Sequence, residues 1–589
     1  MSTSYRTSKR ISLPLLFLAL PLLVGFDPPK EDIPPEAATG TESKVLVRAK
    51  KHMVVAANPH ASAAGLEILR AGGSAVDAAI AIGLVLGLVE PQSSGIGGGA
   101  FLLYFDKRSK RITAFDGRET APASATPGQF LKNNNKPRMF FSMVIGGLSV
   151  GVPGQLRMFE AAHKKGGRLP WSRLFGPAIR LAENGFKVSP RLHKLLTPMI
   201  FLAGMSPAKE YFYQTDGTPK PVGTILKNLP LAGVLRAVAN GGADAFYLGT
   251  IAADIVSAVN SAPRNPGQMT LVDLANYRAK RRKPVCIGYR SYRVCGMPPP
   301  TSGGLTTLQI LAQLERFDLS PAASKPSDFI HLFSESSRLA FADRARYIAD
   351  PGFVKVPRLL DRRYIKRRSK LIDADKVSET VAAGSPPGSS AHFTDDASPE
   401  LPSTSHWVVV DANGNAVSAT ASIESAFGSH LMVRGFLLNN ELTDFSFLPT
   451  SDGRPIANRV EAGKRPRSSM APIIVQHRRS KRLKMLIGSP GGSRIINYVA
   501  RTLIEVLDRE QDIQSAISAP NFVNQRGVTE LERLADPAAH DTLTKSLTAR
   551  GHTIAVRDLN SGLHGIVVEA DGTLTGGADP RREGIPRGD

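Results

Sequence analysis

Two apolar, β-branched runs on either side of Asn413-Gly414 constrain this chain more than any other feature. The first run covers residues 404–410 and the second 416–423. Asn-Gly accepts the left-handed backbone of a tight turn, so the pair predicts a β-hairpin. Residues 382–403, rich in Pro, Gly and Ser, lead into it. Thr404 therefore falls where a linker enters a strand. A cut between Ser403 and Thr404 would put a hydroxyl and a free α-amine on one residue. The amine can take the hydroxyl proton, giving nucleophile and base without a separate histidine. The plain alternative is a linker threonine that begins an edge strand.

The segments before the hairpin read as a large helical and glycine-punctuated region. Asn58-Pro59 predicts a helix start, with Asn58 as the cap and Pro59 in the first turn, and Gly72-Gly73 ends that helix. Residues 75–89 are apolar nearly all round, which predicts a buried helix too short to cross a bilayer. A strand is expected over 100–105 after the glycine run at 95–99, which lacks the lysine of a phosphate loop. Arg118 follows another strand end, where a guanidinium can fork onto a carboxylate. Residues 155–280 read as mainly helical, and helices are expected over 305–317 and 327–349.

Beyond the hairpin, Glu441 and Asp444 stand three apart, which is costly unless a cation or a shared proton intervenes. Ser468 and Ser469 offer adjacent hydroxyls. Gly491 and Gly492 precede an apolar helix over 495–506, where backbone amides suit an oxyanion. Each of these, taken singly, also reads as an ordinary turn or cap. Cys286 and Cys295 lie symmetrically about a turn at Arg290-Ser291, as a cross-strand disulfide or as two buried thiols. Neither has neighbours that would complete a metal site.

Arg6, Lys9 and Arg10 precede a short apolar run over 11–26, the pattern of an export signal; residues 27–45 then read as a disordered lead. The net charge of +23 raises the question of nucleic acid. The basic clusters at 362–370 and 478–482 are not interleaved with stacking aromatics, and we read them as solvated faces rather than nucleic-acid contacts.

Taken in order, Ser94-Gly-Ile-Gly-Gly-Gly, Gly117-Arg-Glu-Thr-Ala-Pro, Gly151-Val-Pro-Gly, Met297-Pro-Pro-Pro-Thr-Ser-Gly-Gly, Leu339-Ala-Phe-Ala-Asp-Arg, Thr404-Ser-His, Leu438-Asn-Asn-Glu-Leu-Thr-Asp-Phe, Arg465-Pro-Arg-Ser-Ser-Met and Gly488-Ser-Pro-Gly-Gly-Ser-Arg resemble the gamma-glutamyltransferase family of N-terminal nucleophile hydrolases. The resemblance implies an α+β fold, a four-layer αββα sandwich made as a precursor that cuts itself between Ser403 and Thr404. It implies a heterodimer of a large subunit, 46–403, and a small one, 404–589, acting on the γ-glutamyl amide of glutathione and related compounds with no cofactor. Water or an amino acid or peptide is the acceptor. By the same resemblance Gly491 and Gly492 hold the oxyanion. Arg118, Ser468 and Ser469 hold the substrate α-carboxylate, and Glu441 and Asp444 its α-ammonium.

Two positions depart from the family pattern. Ser422 stands where a second threonine is usual, which leaves its hydroxyl less fixed. Glu424 stands where an asparagine is usual and crowds one ammonium with three carboxylates. Either a carboxyl is protonated, or Glu424 turns away, or the acyl group differs. The segment 444–468 is also shorter than in members with a full lid, so a more open pocket is expected. The competing readings are a glutaryl- or cephalosporin-type acylase of the same fold, and an exported binding protein that has lost catalysis.

Overall fold

The hairpin forms where its sequence predicts it. Strands Ser403–Val410 and Ala416–Glu424 pair antiparallel, with Trp407 opposite Ala419 and Val410 opposite Ala416. The turn closes through Asp411, whose carboxylate accepts the N–H groups of Asn413 and Asn415 at 2.9 Å each, and Gly414 takes a φ of +73°. The computed structural model describes Met1 and residues 33–36, 39–390 and 392–589; the expected export signal lies outside them.

The hairpin sits at the centre of a seven-stranded antiparallel sheet. From edge to edge its strands are Ile585–Gly588, Met53–Ala56, Ser403–Val410, Ala416–Glu424, Gly99–Asp106, Arg111–Gly117 and Lys280–Arg282. A second sheet runs Val47–Ala49, Leu574–Ala578, His564–Val568, Leu483–Gly488, Ile473–His477, Tyr292–Gly296 and Val285–Tyr289. Strand alternation sorts the side chains into three apolar layers. Val408 and Val410 point between the sheets with Phe101, Leu103 and Phe105, meeting Ile474, Leu486 and Ile566 of the second sheet. Trp407 and Val409 point the other way, onto the helical layer that includes Ala75–Val89. On the far side Val294, Ile473 and Met485 pack with helices Gly303–Leu314, Pro326–Tyr347 and Ile495–Leu507. The result is the αββα sandwich.

The buried helix Ala75–Val89 is set by a capping box in which Ser74 and Asp77 satisfy each other's backbone N–H. A Cβ on its Gly83 would lie 2.5 Å from the Phe159 ring and 3.2 Å from Trp407, so glycine is what lets this helix reach the sheet. Asn58 caps Pro59–Arg70 as expected. The two cysteines are joined across the edge hairpin of the second sheet, in directly opposed register.

Two expectations need adjustment. The lead is not wholly without structure: Glu36 is buried, pairs with Arg191 and holds Arg582 at 2.9 Å. The basic cluster at 362–370 is not simply a solvated face, because Arg368 is buried on helix Arg362–Ser369 and donates to the Leu339 carbonyl at 2.9 Å. Residues 33–589 make one unit, and both sheets draw strands from both sides of the Ser403–Thr404 bond.

Candidate active site

The hairpin's open end delivers the chemistry. Between Ser403 and Ser405 the ladder shifts register, so Thr404 faces two partner-strand residues, Ser422 and Ile423. This bulge aims a side chain without breaking the strand. The Ser422 hydroxyl donates to the Ser403 carbonyl at 2.8 Å and accepts from the Glu424 N–H at 2.8 Å. The Thr404 hydroxyl donates to the Ser422 oxygen at 3.4 Å. Ser422 thus polarises the carbonyl that precedes Thr404, and the Glu424 amide fixes its orientation. These two hydrogen bonds hold the Ser422 hydroxyl in place of the fixing that a threonine's methyl would add.

Of the two oxyanion candidates, Gly492 lines the same cavity as Thr404. Gly491, with φ +133°, caps the short turn that leads into helix Ile495–Leu507. At Gly492 a Cβ would stand 2.8 Å from the Leu401 carbonyl oxygen, so only glycine lets this turn approach the segment that leads into strand Ser403–Val410. A cavity of about 20 Å³ is lined by Thr404, Ser422, Glu424, Asp444, Ser469 and Gly492, together with Glu400 and Leu401. The space beside Thr404 is thus small here rather than open, with Glu400 and Leu401 on its wall beside Asp444 and Ser468.

Arg118 lies fully buried at the end of Arg111–Gly117 and is anchored to the Pro466 and Arg467 carbonyls at 3.2 and 2.9 Å. Its two terminal nitrogens pair with Glu441 and Asp444, side by side on a short helical turn. The structure therefore brings Arg118, Glu441 and Asp444 together as one ion cluster, where the sequence separated them into carboxylate and ammonium holders. Ser468 accepts from the Met470 N–H at 3.1 Å, and its carbonyl is held by the backbone and hydroxyl of Ser302 at 2.7 Å each. Ser469 donates to the Glu400 carboxylate at 2.5 Å and accepts from Arg344 at 2.8 Å.

One guanidinium serves several carboxyls here, and the electrostatics follow. Burial, opposed by Arg118 and reinforced by Glu400 and Glu441, pushes Asp444 up to about 8. Glu441 is raised by burial against the pull of Arg118. Glu424 stands well above the usual carboxylate range because of burial and the nearby Asp444 and Glu441. It adopts φ +77°, accepts from the Leu401 N–H at 3.0 Å and takes the Asn440 amide on its other oxygen. Of the three ways to relieve the crowding, the protonated carboxyl fits this environment.

Several members of the site escaped the sequence reading. Glu119 is buried beside Arg118 at 3.6 Å and is also raised, by burial and then Glu441. It lay within a quoted motif but carried no sign of its neighbour more than 300 residues on. Glu400, Arg344 and Arg467 form a second ion cluster; both arginines lie in motifs of the family resemblance but carried no role there, and Glu400 lies in none. Among the described residues no cluster of three or more His, Cys, Asp or Glu could hold a metal ion.

A self-polarised peptide bond at the head of a sandwich strand can be compared with known proteins. The sequence model of a family described as Gamma-glutamyltranspeptidase matches residues 61–588. The chain belongs to that family. The glutathione hydrolase proenzyme of Escherichia coli (strain K12) is 37% identical over 563 residues, covering 93% of each chain. The acylase ACY 1 proenzyme of Pseudomonas sp. (strain SE83) is 34% identical, covering 94% of this chain and 96% of its own. Among solved structures, the cephalosporin acylase of Bacillus halodurans superposes with a TM-score of 0.80 at 27% identity, over 94% of this chain and 99% of that one. The N-terminal nucleophile hydrolase fold and the gamma-glutamyltranspeptidase class of enzyme are thereby established.

Proposed function

We propose that this gamma-glutamyltranspeptidase cuts itself between Ser403 and Thr404 and then hydrolyses or transfers γ-glutamyl groups, as from glutathione, through an ester on Thr404. The observation that carries the reading is the hydroxyl chain from Thr404 through Ser422 to the Ser403 carbonyl. In the first reaction the Thr404 oxygen attacks the Ser403 carbonyl carbon. The C–N bond breaks as the ester forms, and the hydroxyl proton passes to the departing nitrogen. Water hydrolyses the ester, leaving a Ser403 carboxylate and a free Thr404 amine. In the second, that amine takes the hydroxyl proton while the oxygen attacks the γ-carbonyl. The Gly491 and Gly492 amides face the developing oxyanion, and the leaving amine departs protonated. Water or an amino acid or peptide then releases the acyl group.

In the substrate complex Ser468 and Ser469 hold the α-carboxylate with Arg118, and Glu441 and Asp444 take the α-ammonium. The products of the cut stay together as a heterodimer of 46–403 and 404–589. We also propose export to the periplasm or medium. The basic and apolar leader supports it, and the Cys286–Cys295 disulfide fits an oxidising compartment. Among the described residues no helix is long and apolar enough to cross a membrane.

The acylase reading is kept because of Glu424 and the whole-length match to a cephalosporin acylase. A denaturing gel and N-terminal sequencing test the first step: purified protein gives two fragments, the smaller beginning at Thr404, and Thr404→Ala gives one. A start at any other residue removes the proposed nucleophile. γ-Glutamyl-p-nitroanilide assayed beside its glutaryl analogue tests the second. Preference for the glutaryl compound transfers the substrate assignment to the acylases.

A further inference from the structure

Glu36 lies in the lead, ahead of the stretch 61–588 that the family matches, and it is buried. Its carboxylate sits between two buried guanidiniums. Arg191 pairs with it, and Arg582 donates to it at 2.9 Å. Among the described residues Glu36 is the carboxylate on Arg582, whose Nε and Nη1 have no partner there.

A run of contacts leads from this pair to the bond that is cut. Arg191 gives its Nε–H to Glu90 at 3.3 Å. The same Glu90 oxygen accepts the Gln92 side-chain amide at 2.7 Å. The Gln92 backbone carbonyl accepts the Ser403 hydroxyl at 2.6 Å and the Phe427 N–H at 3.1 Å. Glu90, Gln92 and Ser403 are all buried. On its other side the lead meets the turn Gly492–Arg494, where Arg494 donates to the Ile33 carbonyl at 2.9 Å.

These contacts bear on one carbonyl. Ser403 is held by its hydroxyl on Gln92 and by its carbonyl on Ser422. Attack by Thr404 needs that carbonyl in place, and a misplacement of about 1 Å can cost about 10² in rate. Without the Glu36 charge two buried cations lose a partner, which is costly. Glu90 is then the carboxylate left to the Arg191 side chain. Drawn towards Arg191, it slackens its hold on the Gln92 amide, and Gln92 carries Ser403 with it.

We propose that Glu36 is a positioning residue for self-cleavage, fixing Ser403 for attack by Thr404 through Arg191, Glu90 and Gln92. The proposal rests on the self-cleaving reading and deepens it. It makes residues 33–36 a working part of the large subunit, ahead of residue 46.

Two measurements on the full chain test this. The first follows fragment formation on a denaturing gel. Glu36→Gln, which keeps the size and removes the charge, slows it about tenfold, the scale of one hydrogen bond to a charged group. Glu36→Asp recovers part of the rate. In a Ser403→Ala background Glu36→Gln has no further effect, because the link it acts through is gone. Equal rates for Glu36→Gln and wild type overturn the proposal, and so does an undiminished effect in the Ser403→Ala background. The second measurement needs no cut. Adding Glu36→Gln to uncut Thr404→Ala speeds backbone hydrogen exchange at 90–93 and 401–406 and leaves it unaltered at 473–488. Unaltered exchange at the first two overturns the proposal; a rise at all three does so too, since it shows support of the fold at large. Glu36→Asp, the milder change, gives both readings where Glu36→Gln does not fold. A wild type that stays uncut while exchange responds as stated sinks the self-cleaving reading and leaves the link from Glu36 to Ser403 standing.

Discussion

At the scale of single residues, Ser422 is placed to matter most for the first cut. Its one proton lies on the Ser403 carbonyl, and its oxygen receives both Thr404 and the Glu424 amide. Removing one preorganised donor from a developing oxyanion costs about 10²–10³ in rate. Ser422→Ala is therefore expected to slow appearance of the two fragments by about that factor, followed on a denaturing gel over time, while Ser422→Thr keeps the rate. Undiminished cleavage by the alanine variant would remove Ser422 from the mechanism. These contacts were half legible in the sequence. Ser422 and Thr404 could be placed on facing strands of a hairpin because Asn413-Gly414 fixed the turn. The bulge that sets them opposite each other has no sequence mark, and Glu400, Arg344 and Arg467 meet only through tertiary folding.

At the scale of elements, the edge hairpin of the second sheet carries the only two cysteines, opposite one another and covalently joined. A loop this short restricts the unfolded chain modestly, by about 2–3 kcal/mol. Replacing both cysteines by serine is expected to lower the urea midpoint by a corresponding amount and to leave fragment formation unchanged, since Thr404 lies on the other sheet. Loss of processing in that variant would show that the edge supports the site. The spacing about Arg290-Ser291 revealed the hairpin and its symmetry; whether the thiols were joined needed the register. Periodicity likewise gave helix Ala75–Val89 and the beginning of Ile495–Leu507. It failed for residues 441–444, where a single short turn carries two carboxylates to one guanidinium.

At the scale of the whole molecule, two sets of buried groups oppose each other as pH changes. Asp444, raised by burial from 3.8 to about 8, binds its proton more tightly folded than unfolded. Its contribution is present below about pH 4 and is lost as pH rises through about 8. Burial holds His564 down to about 3 and His430 and His552 to about 4. Their contribution is present above about pH 6.5 and is lost as pH falls towards those values. The melting temperature of uncut Thr404→Ala is accordingly expected to peak near neutrality or slightly below and to decline on both sides. Asp444→Asn should flatten the alkaline side alone; an unchanged alkaline slope would mean that this carboxyl is already ionised.

Both sheets also take strands from each side of the Ser403–Thr404 bond: Ser403–Val410 is flanked by Met53–Ala56 and by Ala416–Glu424, itself beside Gly99–Asp106. Neither product of a cut there owns a complete sheet. Maturation is then a ratchet. The continuous polypeptide is the only form equipped to assemble this architecture, and once nicked it keeps a shape it could not easily find again. A pair of mature pieces pulled apart by heat or urea should rejoin poorly, so the lifetime of the working enzyme is governed by how slowly it first comes undone.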